Sequence, residues 1–162
     1  MKTKLLLLFF IFFSFNLEAN TNENYKNLVK EQVRVLNKNL KINKNNEAYV
    51  YKVEYKNDKV IYYYKFNFKK YLSKADKIIP WEKDSEVTYP KLKKIYKESF
   101  SLLAIRNFTK TICFNNDSRY ILKRGIPLSM KAYFTNGDYF TGVTVTEDTC
   151  KIYDKYKAGL IR

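Results

Sequence analysis

Histidine is absent from this chain of 162 residues. Its absence closes the serine–histidine and cysteine–histidine routes to an activated nucleophile, and it removes the commonest metal ligand. Glycine is scarce, at 4 residues, and no phosphate-cradling loop can be assembled from them. The 2 cysteines, Cys113 and Cys150, stand too far apart to form a C-x-x-C redox pair. Carboxylates remain, and the candidate acid–base pairs are Asp84 with Glu86 and Glu147 with Asp148. In lysine-rich surroundings such pairs read as surface charge. The sequence therefore predicts a protein that is not an enzyme and holds neither metal nor cofactor, with a carboxylate-dependent enzyme as the alternative.

Cations and aromatic rings are abundant. Lys and Arg number 31 against 16 Asp and Glu, a formal net charge of +15, and there are 15 Tyr and 12 Phe. The first residues, MKTKLLLLFFIFFSFNLEAN, have the build of a secretory signal: Lys2 and Lys4, an apolar run from Leu5 to Phe13, and Ala19 as the small residue at a cut. The run is short for a membrane span, which needs about 20 residues. We expect residues 1–19 to be removed, with an uncleaved anchor as the alternative. No cysteine lies near the cut, which reads against a lipoprotein. Residues 1–19 carry +1 (Lys2, Lys4, Glu18), so residues 20–162 keep +14 of the formal +15. They form one expected domain in the periplasm or outside the cell. Export makes nucleic acid a poor partner, and an oxidising compartment predicts a Cys113–Cys150 disulfide.

Two stretches alternate with the period of a strand. EAYVYKVEYK (47–56) and Lys59 to Lys69 flank the turn residues Asn57 and Asp58, and together predict a hairpin. Strict alternation places Val60, Tyr62, Tyr64, Phe66 and Phe68 on one face and Ile61, Tyr63 and Lys65 on the other. Ile126 to Thr135 and Asp138 to Thr146 flank Asn136-Gly137, a second hairpin. Helical spacing covers three stretches: Glu23 to Leu40 (Tyr25, Leu28, Val29, Val33, Leu36, Leu40), from Pro90 onward (Leu92, Ile95, Tyr96, Ser99, Leu103, Arg106, with Phe100, Leu102 and Phe108 broadening the stripe to more than one side), and Asp117 to Gly125. Asp117 is the expected N-cap of the third. The predicted order is α-β-β-α-α-β-β. The fold class is α+β, in two layers: an antiparallel sheet of about four strands packed against two to three helices. Residues 70–89 form a long connection around Trp81, and a connection of that length is functional or holds a further element.

With helices on one sheet face, the other is expected to carry Val50, Ile61, Tyr63, Tyr133 and Phe140 among Lys52, Lys65 and Lys131. The candidate partner-binding residues are Ile61, Tyr63, Tyr133, Phe140, Trp81, Lys65 and Lys131. Aromatic and apolar side chains converging on one surface favour an envelope protein partner, docked on that face or in a groove beside the second helix. A net +14 keeps an anionic polymer or membrane surface as the alternative.

From Cys113 the chain reads CFNNDSRYILKRGIPLSMKAYFTNGDYFTGVTVTEDTC. This segment has a cysteine, Arg119 and Leu122, Gly125, a strand with Tyr133, the Gly137 turn, and a strand that closes just before Cys150. It covers about a quarter of the chain and resembles the C-terminal half of small exported α+β proteins, including the AspS-type pilotins of type II secretion. The resemblance implies a helix-flanked sheet, an intramolecular disulfide and, for pilotins, binding of a secretin's C-terminal segment. The chain departs from pilotins in lacking their lipidated cysteine, which argues against an outer-membrane escort role and leaves the fold implication standing.

Overall fold

The computed structural model describes residues 22–40, 42, 44, 46, 48–67 and 89–159. The expected signal segment and the connection around Trp81, with Asp84 and Glu86, lie outside the described residues.

Helix α1 (Asn22–Asn39) follows its apolar spacing, with Tyr25, Val29 and Val33 buried one turn apart. A hairpin follows, of β1 (Ala48–Lys56) and β2 (Lys59–Phe66). Its two turn residues, Asn57 and Asp58, both have positive φ, at 51° and 53°. A two-residue hairpin turn needs that geometry, and Asn and Asp tolerate it. Beside the hairpin α1 caps a sheet edge: the Asn37 amide donates to the Val53 carbonyl, and its oxygen accepts from Val53 N at 2.8 Å. Backbone groups that an edge strand leaves open are thereby satisfied.

Helix α2 (Tyr89–Phe114) ends one residue before α3 (Asn116–Lys123) begins. Strands β3 (Leu128–Phe134) and β4 (Tyr139–Val145) form the second hairpin, and α4 (Glu147–Lys157) follows directly. The α+β class holds, with the order α-β-β-α-α-β-β-α. The fourth helix escapes the periodicity reading. Its start is nonetheless written in Thr146, whose hydroxyl accepts from Thr149 N at 3.3 Å while Thr149 Oγ1 accepts from Thr146 N at 3.2 Å. That is a reciprocal capping box with threonine in place of the usual Glu or Gln.

The sheet order is β1-β2-β3-β4. Each hairpin is antiparallel, but the inner pair β2–β3 is parallel, in register from Val60 opposite Leu128 to Phe66 opposite Phe134. The expected all-antiparallel sheet is therefore corrected to a mixed one. The connection from β2 to β3 carries two helices, long enough to return the chain to the end where β2 began.

All the described helices contribute to one layer. Tyr25, Val29 and Val33 of α1, Phe108 and Ile112 of α2, and Ile121 and Leu122 of α3 pack with Val53, Val60, Leu128, Met130 and Val145 of the sheet. A smaller cluster joins Phe66, Ala132 and Phe140, with Phe100 of α2 against it. Ser99, Leu103 and Arg106, expected on one buried face of α2, are exposed, while Phe100 and Phe108 of the broadened stripe, together with Ile112, face the sheet. Apolar residues occur all round this helix, so hydropathy does not locate its inner face. The phenylalanines of the sheet select it. Leu102 is left 70% exposed. Among the described residues no helix is long and apolar enough to cross a membrane.

Cys113 and Cys150 form a disulfide with Cα atoms 5.2 Å apart. It ties the last turn of α2 to the first turn of α4 and encloses α3 and the second hairpin. The expected pairing is present.

Candidate functional site

Two irregularities redraw the open face of the sheet. In β1 the pairing steps from Val50 opposite Tyr64 to Lys52 opposite Tyr63, leaving Tyr51 extra. In β4 it steps from Thr141 opposite Ala132 to Tyr139 opposite Tyr133, leaving Phe140 extra. Each is a β-bulge, and a bulge shifts the alternation of faces by one residue. Val50 consequently joins the core, and Phe140 turns inward against Phe66 and Phe100, both 5.5 Å away between ring centroids. Thr141 also points inward, where Ser101 of α2 donates to its hydroxyl at 2.7 Å. Tyr139 takes the outward place.

The outward residues then fall into rungs across the strands. One rung is Lys52, Tyr63, Lys131 and Gly142, and the next is Tyr49, Lys65, Tyr133 and Tyr139. Lysine and tyrosine alternate both across the strands and along β2 and β3. Tyr51, extra at its bulge, lies beside Tyr63 at 6.1 Å. Lys52 and Lys131 sit over the Tyr63 ring at 5.1 and 6.0 Å, and Lys65 over Tyr51 at 5.4 Å. Tyr139 packs edge-on against Tyr133 at 5.6 Å. Its hydroxyl lies 2.7 Å from where a Cβ on Gly142 would stand, so the glycine gives the ring its place along the sheet.

Glu54 is the one acidic residue of this face among the described residues. Its carboxylate accepts from the Tyr63 hydroxyl at 2.7 Å and lies 3.5 Å from Lys52. Tyr63's hydrogen bond, helped by the nearby lysines, holds Glu54 below the ordinary carboxylate range. Tyr63 is pushed up to about 12, first by burial and then by that hydrogen bond. Burial likewise raises Tyr51. The face therefore carries Lys52, Lys65 and Lys131, with Lys56 and Lys59 on its end rung, against one carboxylate among the described residues.

A second feature lies at the other side of the molecule. Cys113, Phe114, Asn116, Arg119, Tyr120, Lys123 and Asp154 line an open cleft of about 550 Å³ where α2, α3 and α4 meet. Asn115 sets its geometry: its side chain accepts from Ser118 N at 2.8 Å and starts α3 one residue after α2 stops. The N-cap is thus Asn115, not the expected Asp117, which stands in the first turn. Arg119 bridges α3 to α4 through Asp154 at 3.0 Å and Glu147 at 3.8 Å. Arg119 Nη1 and Glu147 Oε2 are buried without a partner. Phe114 and Tyr120 are half-exposed walls, and Lys157 lies over Phe114 at 4.4 Å.

The expected binding residues divide accordingly. Tyr63, Tyr133, Lys65 and Lys131 share the open face as expected. Ile61 is on that face but sealed, at 4% exposure, between Glu54 and Ser129 of the flanking strands. Phe140 belongs to the core, moved there by the bulge. Trp81 lies outside the described residues. Alternation alone missed Tyr49, Tyr51 and Tyr139 on the open face, and it missed the whole cleft. The carboxylates Glu147 and Asp148 start α4 and are engaged by Arg119 and Lys151. Among the described residues no group of three or more Cys, Asp or Glu side chains could hold a metal ion.

Comparison with solved structures bears on the architecture. The pilotin EpsS of the Vibrio vulnificus type 2 secretion system superposes with a TM-score of 0.52 at 17% identity, covering 80% of this chain and 94% of that one. The fold resembles that of a type II secretion pilotin. A protein from Pseudomonas aeruginosa described as secreted superposes at 0.54 with 10% identity, covering 80% of this chain and 95% of that one. The pilotin AspS from Vibrio cholerae gives 0.49 at 16% identity, covering 82% and 97%. No protein-family model matches the chain, and no curated protein matches its sequence. The likeness is one of fold.

Proposed function

We propose that this chain is an exported, non-enzymatic accessory protein of an envelope secretion machine, acting as a pilotin does by holding a segment of a partner protein. The observation that carries the reading is the architecture shared with the EpsS pilotin over 94% of that chain. The cleft at the α2–α3–α4 junction supplies a place for the segment. Phe114 and Tyr120 offer apolar and aromatic walls, and Arg119 and Lys123 offer donors. A helix or turn of the partner would shield those rings, and its carbonyls would meet the exposed Lys123 ammonium. The engagement of Glu147 and Asp148 by cations supports a non-enzymatic role for that pair.

A photoreactive amino acid at Phe114, with a control at Lys38 on α1, tests the reading in the native envelope. The expected result is one adduct, at Phe114, with the C-terminal segment of a secretin, and retention of that protein through a high-salt wash. Hydrophobic contact barely weakens as salt screens charge. Loss of all bound protein in high salt, or equal adducts from both positions, refutes it. Mass spectrometry of the exported protein should give an N-terminus near Asn20.

A further inference from the structure

We propose that the open face of the sheet is a binding platform for an anionic polysaccharide, a function separate from capture of a protein segment in the cleft. Three observations carry it. The charge is one-sided: Lys52, Lys65 and Lys131 face outward, and the one carboxylate among them, Glu54, is engaged by Tyr63 and Lys52. The lysines are also spread over the surface. Lys52 and Lys131 flank Tyr63 on the two adjacent strands, about 10 Å apart by strand spacing, and Lys65 stands one rung, about 7 Å, along the sheet. Cations so spread match a chain with repeating anions better than a single charged group.

The rings supply the third observation. Tyr51, Tyr63, Tyr133 and Tyr139 form an aromatic patch between the lysines, Tyr51 inclined at 60° to Tyr63 and Tyr139 at 76° to Tyr133, held in place by their mutual packing and by Gly142. Such a patch offers separate ring faces and edges to the apolar sides of successive sugar rings, as aromatic side chains do for successive bases in single-stranded nucleic acid binding. An acidic peptide is the weaker occupant. The middle of a sheet face has no free backbone groups to pair with a strand, and the one aliphatic side chain of this face among the described residues, Ile61, is sealed. A lipid surface is weaker too, since among the described residues no aliphatic side chain projects from the face to enter a bilayer.

The purified protein is tested on immobilised alginate, a polyuronate, beside neutral dextran, poly-glutamate and phosphatidylglycerol vesicles. The decisive variants are the triple Lys52→Gln/Lys65→Gln/Lys131→Gln and a control triple, Lys38→Gln/Lys44→Gln/Lys155→Gln, with the same loss of charge elsewhere. The proposal expects alginate binding, little on dextran, a loss of about tenfold or more for the face triple, and a much smaller loss for the control. Tyr139→Ala leaves the charge unchanged and should weaken binding about fivefold by removing one exposed ring. It keeps the question decidable if the face triple does not fold. Equal losses from the two triples, no effect of Tyr139→Ala, or tighter binding to poly-glutamate or to the vesicles each overturns the proposal. Adduct formation at Phe114 is unaffected by these variants, so this proposal and the pilotin-like reading can fail separately.

Discussion

Adjacent aromatic residues on β4 should differ several-fold in their cost on truncation, in the order opposite to the one simple alternation gives. Phe140 is 7% exposed and has three ring neighbours: Phe134 at 4.8 Å, and Phe66 and Phe100 at 5.5 Å. Phe140→Ala loses the transfer free energy of the ring and leaves a cavity between strand and helix, a cost of about 3–5 kcal/mol. Tyr139 is 56% exposed and touches one ring, Tyr133. Its truncation should cost about 0.5–1 kcal/mol, the worth of one surface aromatic pair. Urea unfolding followed by circular dichroism reads the difference. With a slope of about 2 kcal/mol/M, the midpoint should fall by about 2 M for Phe140→Ala and by under about 0.5 M for Tyr139→Ala, the slope unchanged. Equal shifts, or a larger one for Tyr139, would mean that β4 has no bulge and that the open face has been assigned the wrong residues.

Gly142→Ala should destabilise by about 1–3 kcal/mol in the same assay, because its Cβ would stand 2.8 Å from the Met130 carbonyl oxygen of the neighbouring strand, which cannot swing away. Removing the cap of α3 with Asn115→Ala should cost about 1 kcal/mol, read as a lowered melting temperature. In alkali, Tyr25, Tyr55, Tyr62 and Tyr63 are pushed up to about 12, chiefly by burial. Because the folded value lies above the unfolded one near 10, stability is complete below pH 10 and is lost as pH rises from 10 to about 12. Ultraviolet absorbance should show these phenols ionising together with unfolding, and independent titration at ordinary values would contradict the assignment.

The sequence is legible wherever one physical rule acts alone. Tyr25, Val29 and Val33 recur at helical spacing, and they are the residues α1 buries. Two turn residues that tolerate positive φ mark the first hairpin, and the second turns through Asn136 and Gly137. Cysteine pairing follows from an even count in a chain whose first residues read as an export signal. Legibility fails where two rules compete. The second turn runs from Thr135 to Asp138, closed by Phe134 N donating to the Asp138 carbonyl at 2.8 Å, and β4 bulges immediately afterwards. One residue of slip there exchanges Tyr139 and Phe140 between faces. Hydropathy cannot detect the slip, since both residues are aromatic. The inner face of α2 was hidden for a related reason, apolar side chains lying all round it. The cleft is built from Phe114, Arg119, Tyr120 and Asp154, residues of three helices. One of those helices announces itself only by a threonine capping box.

The disulfide separates the two proposed surfaces mechanically, and reduction should therefore abolish one activity and spare the other. The bond joins Cys113 at the end of α2 to Cys150 in the first turn of α4. The cleft depends on that junction: Asp154 and Glu147 reach Arg119 from α4, and Tyr153 packs on Phe114 at 5.8 Å. Opening the 37-residue separation restores about 4 kcal/mol of chain entropy to the unfolded state on the loop model. That is a large share of the about 5–15 kcal/mol by which a domain of this size is stable. The loss falls first on α4, which is mostly exposed and buries only Cys150 deeply. Strands β1 to β3 lie together through two ladders, β1–β2 interrupted only by the bulge at Tyr51 and β2–β3 continuous, and none of their pairing involves the cysteines. Cys113→Ser/Cys150→Ser, studied below its melting temperature, should thus lose the Phe114 adduct while holding alginate within about twofold of the parent protein. Hydrogen exchange should show fast amides confined to α4 and the end of α2. Loss of both activities together, with fast exchange reaching β2 and β3, would show that the disulfide supports the whole fold and that the two surfaces are not independent.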